Sequence, residues 1–447
     1  MTSRLAVFLV GLSAFAAGTG PAAHAQGQNN YGSIYSRYGL GERFDYSSSQ
    51  SEMLGGASVS LRDGSYAGLT NPSLWADQTV TTFSASVGVA GLRATDASTT
   101  EASRATAGDV AGLQLGFPIL PARLGVALAY RPYSRVRYRS ATPGTFFSPI
   151  DTTAYTVNRE GDGGLQRISA GLGARLGAGI QVGASADVIF GTFEYLQRTE
   201  FDRSSIYLET RQAQATQVRG VTATFGAAGT ARHLAGEGDA LTVAGAITLP
   251  TSLSGSRTFT LGESLDRDTL ASVTDGSMTL PLLARAGLTY RSGARWLLSA
   301  DALYEPWSSF SSTLPVGGFE PATGTTAEQS LLQDRFRVGG GFEVTPAGGS
   351  RNAGLLRRAS YRIGAYGERG LVAPQASATA TEGTDVMTYA LTGGVSLPNR
   401  ITGARLDLGV EVGTRGSTEG VLVRDSFIRG TFTLNFGERW FIRRRFD

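Results

Sequence analysis

The sequence has no cysteine and only two histidines, His24 and His233. Disulfides, thiolate nucleophiles and zinc–thiolate sites are therefore excluded, and a histidine-rich metal site nearly so. Long apolar runs are also missing. After the N-terminus no segment approaches the roughly 20 apolar residues that a spanning helix needs, and mean hydropathy is −0.06. A charge excess is missing too. Forty Lys and Arg stand against 37 Asp and Glu, a net of +3, and no basic run suits a nucleic acid. What is abundant is glycine, 60 of 447 residues, scattered through alternating segments rather than pooled in linkers.

The first 25 residues read as a secretion signal: Arg4, an apolar core from Leu5 to Ala17, and an Ala23-His24-Ala25 cleavage site. Cleavage after Ala25 leaves a mature chain that begins at Gln26 and keeps His233 as its lone histidine.

Alternation is clearest from Thr279 to Trp307. Leu280, Leu282, Ala284, Ala286, Leu288 and Tyr290 share one side of an extended chain, and Arg285, Gly287 and Thr289 the other. After the turn Arg291–Arg295, Trp296, Leu298, Ala300, Ala302 and Tyr304 share a face against Ser299, Asp301 and Glu305. Successive side chains of a strand point to opposite faces, so the spacing predicts a hairpin with one apolar and one polar face. One such hairpin fits a soluble sandwich as well as a barrel. Recurrence decides. Similar sets repeat from Phe83, Val87 and Val89 to Ile428, Phe432 and Phe436, giving about fourteen strands, an even number as in bacterial barrels.

Gaps after the even strands are short: Pro118–Ala122, Gly177–Gly179, Arg291–Arg295 and Pro398–Gly403. Gaps after the odd strands are longer and polar: Gly91–Gly108, Ser140–Gly164, Leu261–Asp275 and Ser308–Leu332. Short periplasmic turns and long outer loops produce that parity, with both termini periplasmic. A sandwich has no reason to sort its loops. The expected fold is all-β, a transmembrane antiparallel β-barrel of about 14 strands in the bacterial outer membrane, preceded by a plug.

Residues 26–78 do not alternate. Gly55-Gly56 and Asn71-Pro72 make compact turns, and the scattered Tyr, Leu and Met suffice for a small folded plug; a disordered leader is the alternative. The polar strand faces carry Arg167, Arg175, Asp187, Arg285, Asp301, Arg335, Arg337, Glu343, Arg362, Arg405, Asp407, Glu411 and Arg429. Either these line a wet lumen and pair with the plug, or some arginine grips a ligand carboxylate with its two-pronged fork. On the second reading Arg285, Arg335 and Arg337 are the candidates. Gly171-Leu172-Gly173 and Gly339-Gly340-Gly341 fall in strands and open no helix, so they read as bends or close-packing points, not phosphate loops. No catalytic set, cofactor motif or metal cluster emerges, and His233 falls in an expected periplasmic turn. An enzyme is not expected.

Gly55-Gly56-Ala57-Ser58-Val59, and Asn71-Pro72-Ser73 just before the first strand, resemble the N-terminal hatch of the FadL family of outer-membrane transporters for long-chain fatty acids and other hydrophobic compounds. Ser73 stands where that family has Ala, and Tyr35–Gly41 looks more like an uncharacterised branch. The resemblance implies a signal peptide at 1–25, a hatch at 26–78, a barrel at 79–437 and a periplasmic tail at 438–447. It implies a monomer that takes a hydrophobic, fatty-acid-like ligand and sits among outer-membrane lipids. The alternative is a structural or secretion-associated barrel that holds protein partners. Many barrels end on an aromatic read by the barrel assembly machinery during biogenesis; here Phe446 is penultimate. FadL members have a kink in the third strand that opens sideways to the membrane, and Pro132 falls where this chain can do likewise. Otherwise the strand ends at Arg131 and Pro132 begins a loop.

Overall fold

Alternating residues leave the chain from Thr81 onward one way to bury its backbone in lipid: every N–H and C=O must pair between strands, and the sheet must close. The computed structural model describes residues 32–438 apart from 64–67, 98–101, 148–151, 178, 203–207, 235, 263–269, 324–325, 349, 351, 376–382, 399–403 and 421. The expected secretion signal and all but the first residue of the expected tail lie outside the described residues.

The described residues form one closed barrel of fourteen antiparallel strands. These are β1 (Thr81–Asp96), β2 (Ser103–Leu120), β3 (Leu124–Pro132, continuing as Tyr138–Phe147), β4 (Thr152–Gly177), β5 (Ile180–Phe201) and β6 (Thr210–Arg232). Next come β7 (Asp239–Thr248 and Thr251–Gly262), β8 (Leu270–Leu280 and Leu283–Ser292), β9 (Trp296–Glu305) and β10 (Arg335–Val344). The last are β11 (Ser360–Arg369), β12 (Met387–Pro398), β13 (Arg405–Arg415) and β14 (Val423–Glu438). Neighbours in sequence are neighbours in the wall, and β1 pairs with β14 from Thr81↔Glu438 to Asp96↔Val423 to close it. The outward set is the one that alternation marks: Val87, Leu288, Leu298, Leu391 and Ile428 are all exposed to the surroundings of the barrel.

Three of the four long polar gaps are mostly not loops. The β-ladder continues through them, so β1 runs on to Asp96, β4 begins at Thr152 and β7 extends to Gly262. Beyond the bilayer both faces of a strand are wet, and hydrophobic alternation no longer reports the pairing. β4 has 26 residues, against the 9–11 or so that a tilted strand needs to cross a membrane. Only Ser308–Leu332 is a true long excursion, with a 3₁₀ turn at Trp307–Ser309 and the tiny strands Phe319–Glu320 and Gln329–Ser330.

One expected face is wrong at Leu280. It is 2% exposed and inward, whereas Leu282 is half-buried. The reason is a paired break. Leu249-Pro250 interrupts β7 and Pro281-Leu282 interrupts β8 at facing positions, with Thr248↔Leu283 on one side and Thr251↔Leu280 on the other. Proline supplies no ladder N–H, and the inward–outward phase of both strands changes across the break. It points Leu253, Met278 and Leu280 into an apolar core at one end of the barrel, with Leu165, Ile189, Phe193 and Val218 from the wall. Trp307, Phe310, Val316 and Phe319 fold in from the long loop, and Tyr38 and Leu40 from the N-terminal segment.

The outward face predicts a depth-dependent cost. Leu298→Arg places a charge in the lipid-facing band at a cost of roughly 2–4 kcal/mol near its middle. Refolding into bilayers followed by a gel-shift of the folded barrel should show that loss, and an unaltered folded fraction would place Leu298 outside the lipid zone.

Candidate functional site

The described residues between 32 and 78 run through the barrel interior, and their sequence explains how they fit. Asn71 caps the 3₁₀ turn Pro72–Asp77: its Oδ1 accepts from the Ser73 backbone N–H at 3.0 Å and from the Ser73 hydroxyl at 2.7 Å. Its Nδ2 donates to the Val59 carbonyl at 2.8 Å. Ser73 thus adds a bond that Ala lacks. The Pro72-Ser73 backbone lies against Gly173 and Gly183 of β4 and β5, and the Asn71 side chain against Gly226 of β6, where any Cβ would fall inside them. Leu54 and Gly55 lie equally close to Gly339 and Gly341 of β10 and Gly364 of β11, and the Gly55 N–H donates to Thr392 Oγ1 at 2.9 Å. The glycine runs of the wall are two windows cut for the two turn motifs. Between them, Asp301 accepts from the Ser58 and Val59 backbone N–H groups at 2.5 and 2.7 Å.

The buried charges close on one node. Asp45 takes Arg285 at 2.7 Å on one oxygen and Arg335 on the other. Arg335 also reaches Glu305 at 2.8 Å and Glu368 at 2.9 Å, and Glu305 takes Arg43 at 2.7 Å. Burial alone would raise the Asp45 carboxyl, but Arg335 and Arg285 outweigh it and hold it well below the usual carboxylate range. Arg337 lies over the Tyr366 ring, 3.7 Å from its centroid, with Glu368 at 3.8 Å. All three arginines expected to grip a ligand are therefore engaged by the protein's own groups. Gly55, Gly56, Asn71 and Pro72 all lie in the interior segment.

β3 breaks after Pro132, whose register partner on β4 is Gln166. Residues 133–137 turn inward. Ser134 and Arg135 pair with the two-residue strand Glu42–Arg43, and the Phe44 N–H donates to the Tyr133 carbonyl at 3.1 Å. Tyr133 and Val136 keep bonds to Leu165 and Gly163 of β4. Consequently β2 pairs with β3 only from Leu113↔Tyr130 to Leu120↔Leu124. Among the described residues, Ser103–Gly112 has ladder partners on β1 alone and Tyr138–Phe147 on β4 alone. The wall is open there, bridged by Arg135 and Arg137 reaching Asp109 at 2.6 and 3.7 Å. Behind the opening lies a cavity of about 170 Å³. The inner faces of β1, β2 and β14 form one wall and Glu42–Tyr46 with Glu52 the other.

A profile of the BamG family matches residues 13–447. The chain belongs to the BamG family. No curated protein matches it. Among solved structures it is similar to the Ralstonia pickettii toluene transporter TbuX, with TM-score 0.56 and 14% identity over 89% of this chain and 99% of that one. It is similar to the P. putida toluene transporter TodX, with TM-score 0.54 and 13% identity over 87% and 98%. A Pseudomonas aeruginosa FadL homologue gives 0.54 and 12% over 88% and 98%. At such identities the likeness concerns the fold, and it is the FadL-type outer-membrane barrel that the sequence resemblance implied.

In this BamG-family barrel the sequence reading missed Asp45, Glu42, Glu52, Asp109 and Arg135. The run Glu42-Arg43-Phe44-Asp45 was a visible signal, three charges in a Gly-, Ser- and Tyr-rich segment. Two carboxyls of that segment are pushed apart. Burial would raise Glu42, yet Arg415 and Arg429 pull it down to about 2. Glu52, on the short helix α1 (Ser49–Met53), is pushed up to about 7 by burial and by Glu411.

Asp45→Asn leaves Arg285 and Arg335 facing a neutral group inside the barrel, an expected loss of about 3–5 kcal/mol in the docking of the interior segment. Planar-bilayer recordings should show larger or noisier conductance with the barrel still folded; a silent, native-like trace would remove Asp45 from the anchoring role. Glu52 predicts the opposite sign. The folded protein holds this proton more tightly than the unfolded chain, so stability falls as pH rises from the ordinary glutamate value to about 7. Glu52→Gln should therefore melt higher than the native protein, by a margin that grows over that window and levels off above it. Parallel melting curves that stay superimposed at every pH would show that Glu52 carries no penalty.

Proposed function

We propose that this barrel passes small molecules with an apolar body, fatty-acid-like compounds among them, between the outer surface and the membrane, through the cavity behind the β2–β3 opening. On this reading residues 26–78 are the hatch that blocks a straight pore, both termini are periplasmic, the monomer is the working unit, and no chemical step is catalysed. The observation that carries the reading is the break in β3, because a barrel that only needed stability has no reason to forgo a run of ladder bonds beside an internal cavity. TbuX and TodX are toluene transporters, which supports the same class of cargo. A second reading, a scaffold that holds protein partners, draws on the long strands β4 to β6, which rise well past a bilayer's thickness and offer two-sided polar surface.

The chain has no cysteine, so Asp109→Cys with Arg135→Cys gives two unique thiols, one on each side of the opening. Uptake of a fluorescent alkyl compound into proteoliposomes is compared before and after a short bismaleimide joins them. Loss of uptake on cross-linking is expected. Undiminished uptake would sink the lateral route, and a stoichiometric protein that co-purifies in place of any small-molecule flux would favour the scaffold.

A further inference from the structure

The cavity behind the β2–β3 opening has unequal chemistry, and its unmet groups share one sign. Its guanidiniums are engaged: Arg415 and Arg429 bind Glu42 at 2.6 and 2.8 Å, Arg429 also binds Glu411 at 3.1 Å, and Arg135 and Arg137 share Asp109. Two carboxyls are not. The Glu52 carboxyl has no hydrogen bond or ion pair among the described residues, whereas its backbone N–H donates to the Ser48 carbonyl at 3.1 Å. Asp425 is fully buried; its Oδ2 accepts from the Ser33 hydroxyl, while its Oδ1 is buried with no partner. Small residues of β1 and β2, Ala90, Ala105 and Ala107 among them, line the same cavity; Glu52 lies across from them and Asp425 beside them on β14. A buried acceptor left without a partner is costly, and more so when it is charged.

Two free acceptors in a cavity with a partly apolar wall recognise a donor-rich cation with a short apolar body. Among the described residues no three acidic or histidine side chains converge as a metal cage, so the fit is to an organic cation. We propose that this cavity is a binding site for small alkylammonium compounds, with Glu52 and Asp425 receiving the ammonium head and the alanine wall the alkyl chain. This rests on the small-molecule reading above and reverses the sign expected from the lumen arginines, which suggested a ligand carboxylate.

The test uses the intact barrel in lipid nanodiscs and three probes of one chain length: octylammonium, octanol and octanoate. Binding is measured by calorimetry and corrected with empty nanodiscs. Octylammonium should bind about tenfold or more tighter than octanol, the factor that one charge-assisted hydrogen bond supplies, and octanoate should bind more weakly than either. Glu52→Gln should bring octylammonium close to octanol while leaving octanol binding unchanged, and Asp425→Asn should do the same if Ser33 holds its place. Equal binding of all three probes, a preference for octanoate, or an octylammonium affinity indifferent to both substitutions would overturn the cation site and leave the small-molecule reading standing. No binding of any probe above the empty discs would remove both.

Discussion

The carboxylate of Asp45 is the charge on which the interior depends. It comes from the segment that threads the barrel, and it is shared between guanidiniums of β8 and β10, so segment and wall cannot separate without stranding charge in a space that excludes bulk water. Its effect spreads because Arg335 also serves Glu305 and Glu368, and Glu305 serves Arg43. The node has four arginines and three acids, and none of its carboxylates lacks a cation. A buried ion pair adds little net stability over a well-packed apolar substitute, but losing one member is expensive. Such a node specifies one position for the segment more than it strengthens the barrel.

That position is the second requirement, and sterics meets it. Two irregular turns approach the wall more closely than side chains permit, and the wall answers with glycine on three adjacent strands at one and on two at the other. Charge sets which partners meet, and the glycine windows set how near they come. The break in β3 follows from the same docking. Backbone groups that lose their β2 partners regain some from Glu42, Arg43 and Phe44, so the segment that fills the lumen also shapes the opening beside it.

The barrel was legible because lipid imposes a period of two on every strand it touches, and all fourteen strands show it. Where lipid ends the signal ends, which is why Gly91–Gly108, Ser140–Gly164 and Leu261–Asp275 read as loops although most of their described backbone remains paired. Leu280 misled for a related reason: its alternation with Leu282 is real in sequence, and Pro281 changes the phase between them. The site was less legible. Arg285, Arg335 and Arg337 were found as inward charges, but their partners arrive from residues 43–45 through contacts about 240 or more positions apart, and no local pattern encodes such pairing. Glycine told most where it was read as a close-packing point instead of a flexible one.

The distance between Ser33 and Asp425 carries one more consequence. They are joined by a hydrogen bond across 392 positions, and the Tyr35 hydroxyl likewise donates to the Val423 carbonyl. The first residues described in the interior therefore complete their contacts only with the last strand of the wall. Loop-closure entropy over nearly the whole chain is spent before those contacts form, the topology expected of slow folding. The N-terminal segment is therefore fastened to the wall no earlier than the chain's last strand takes its place beside β1.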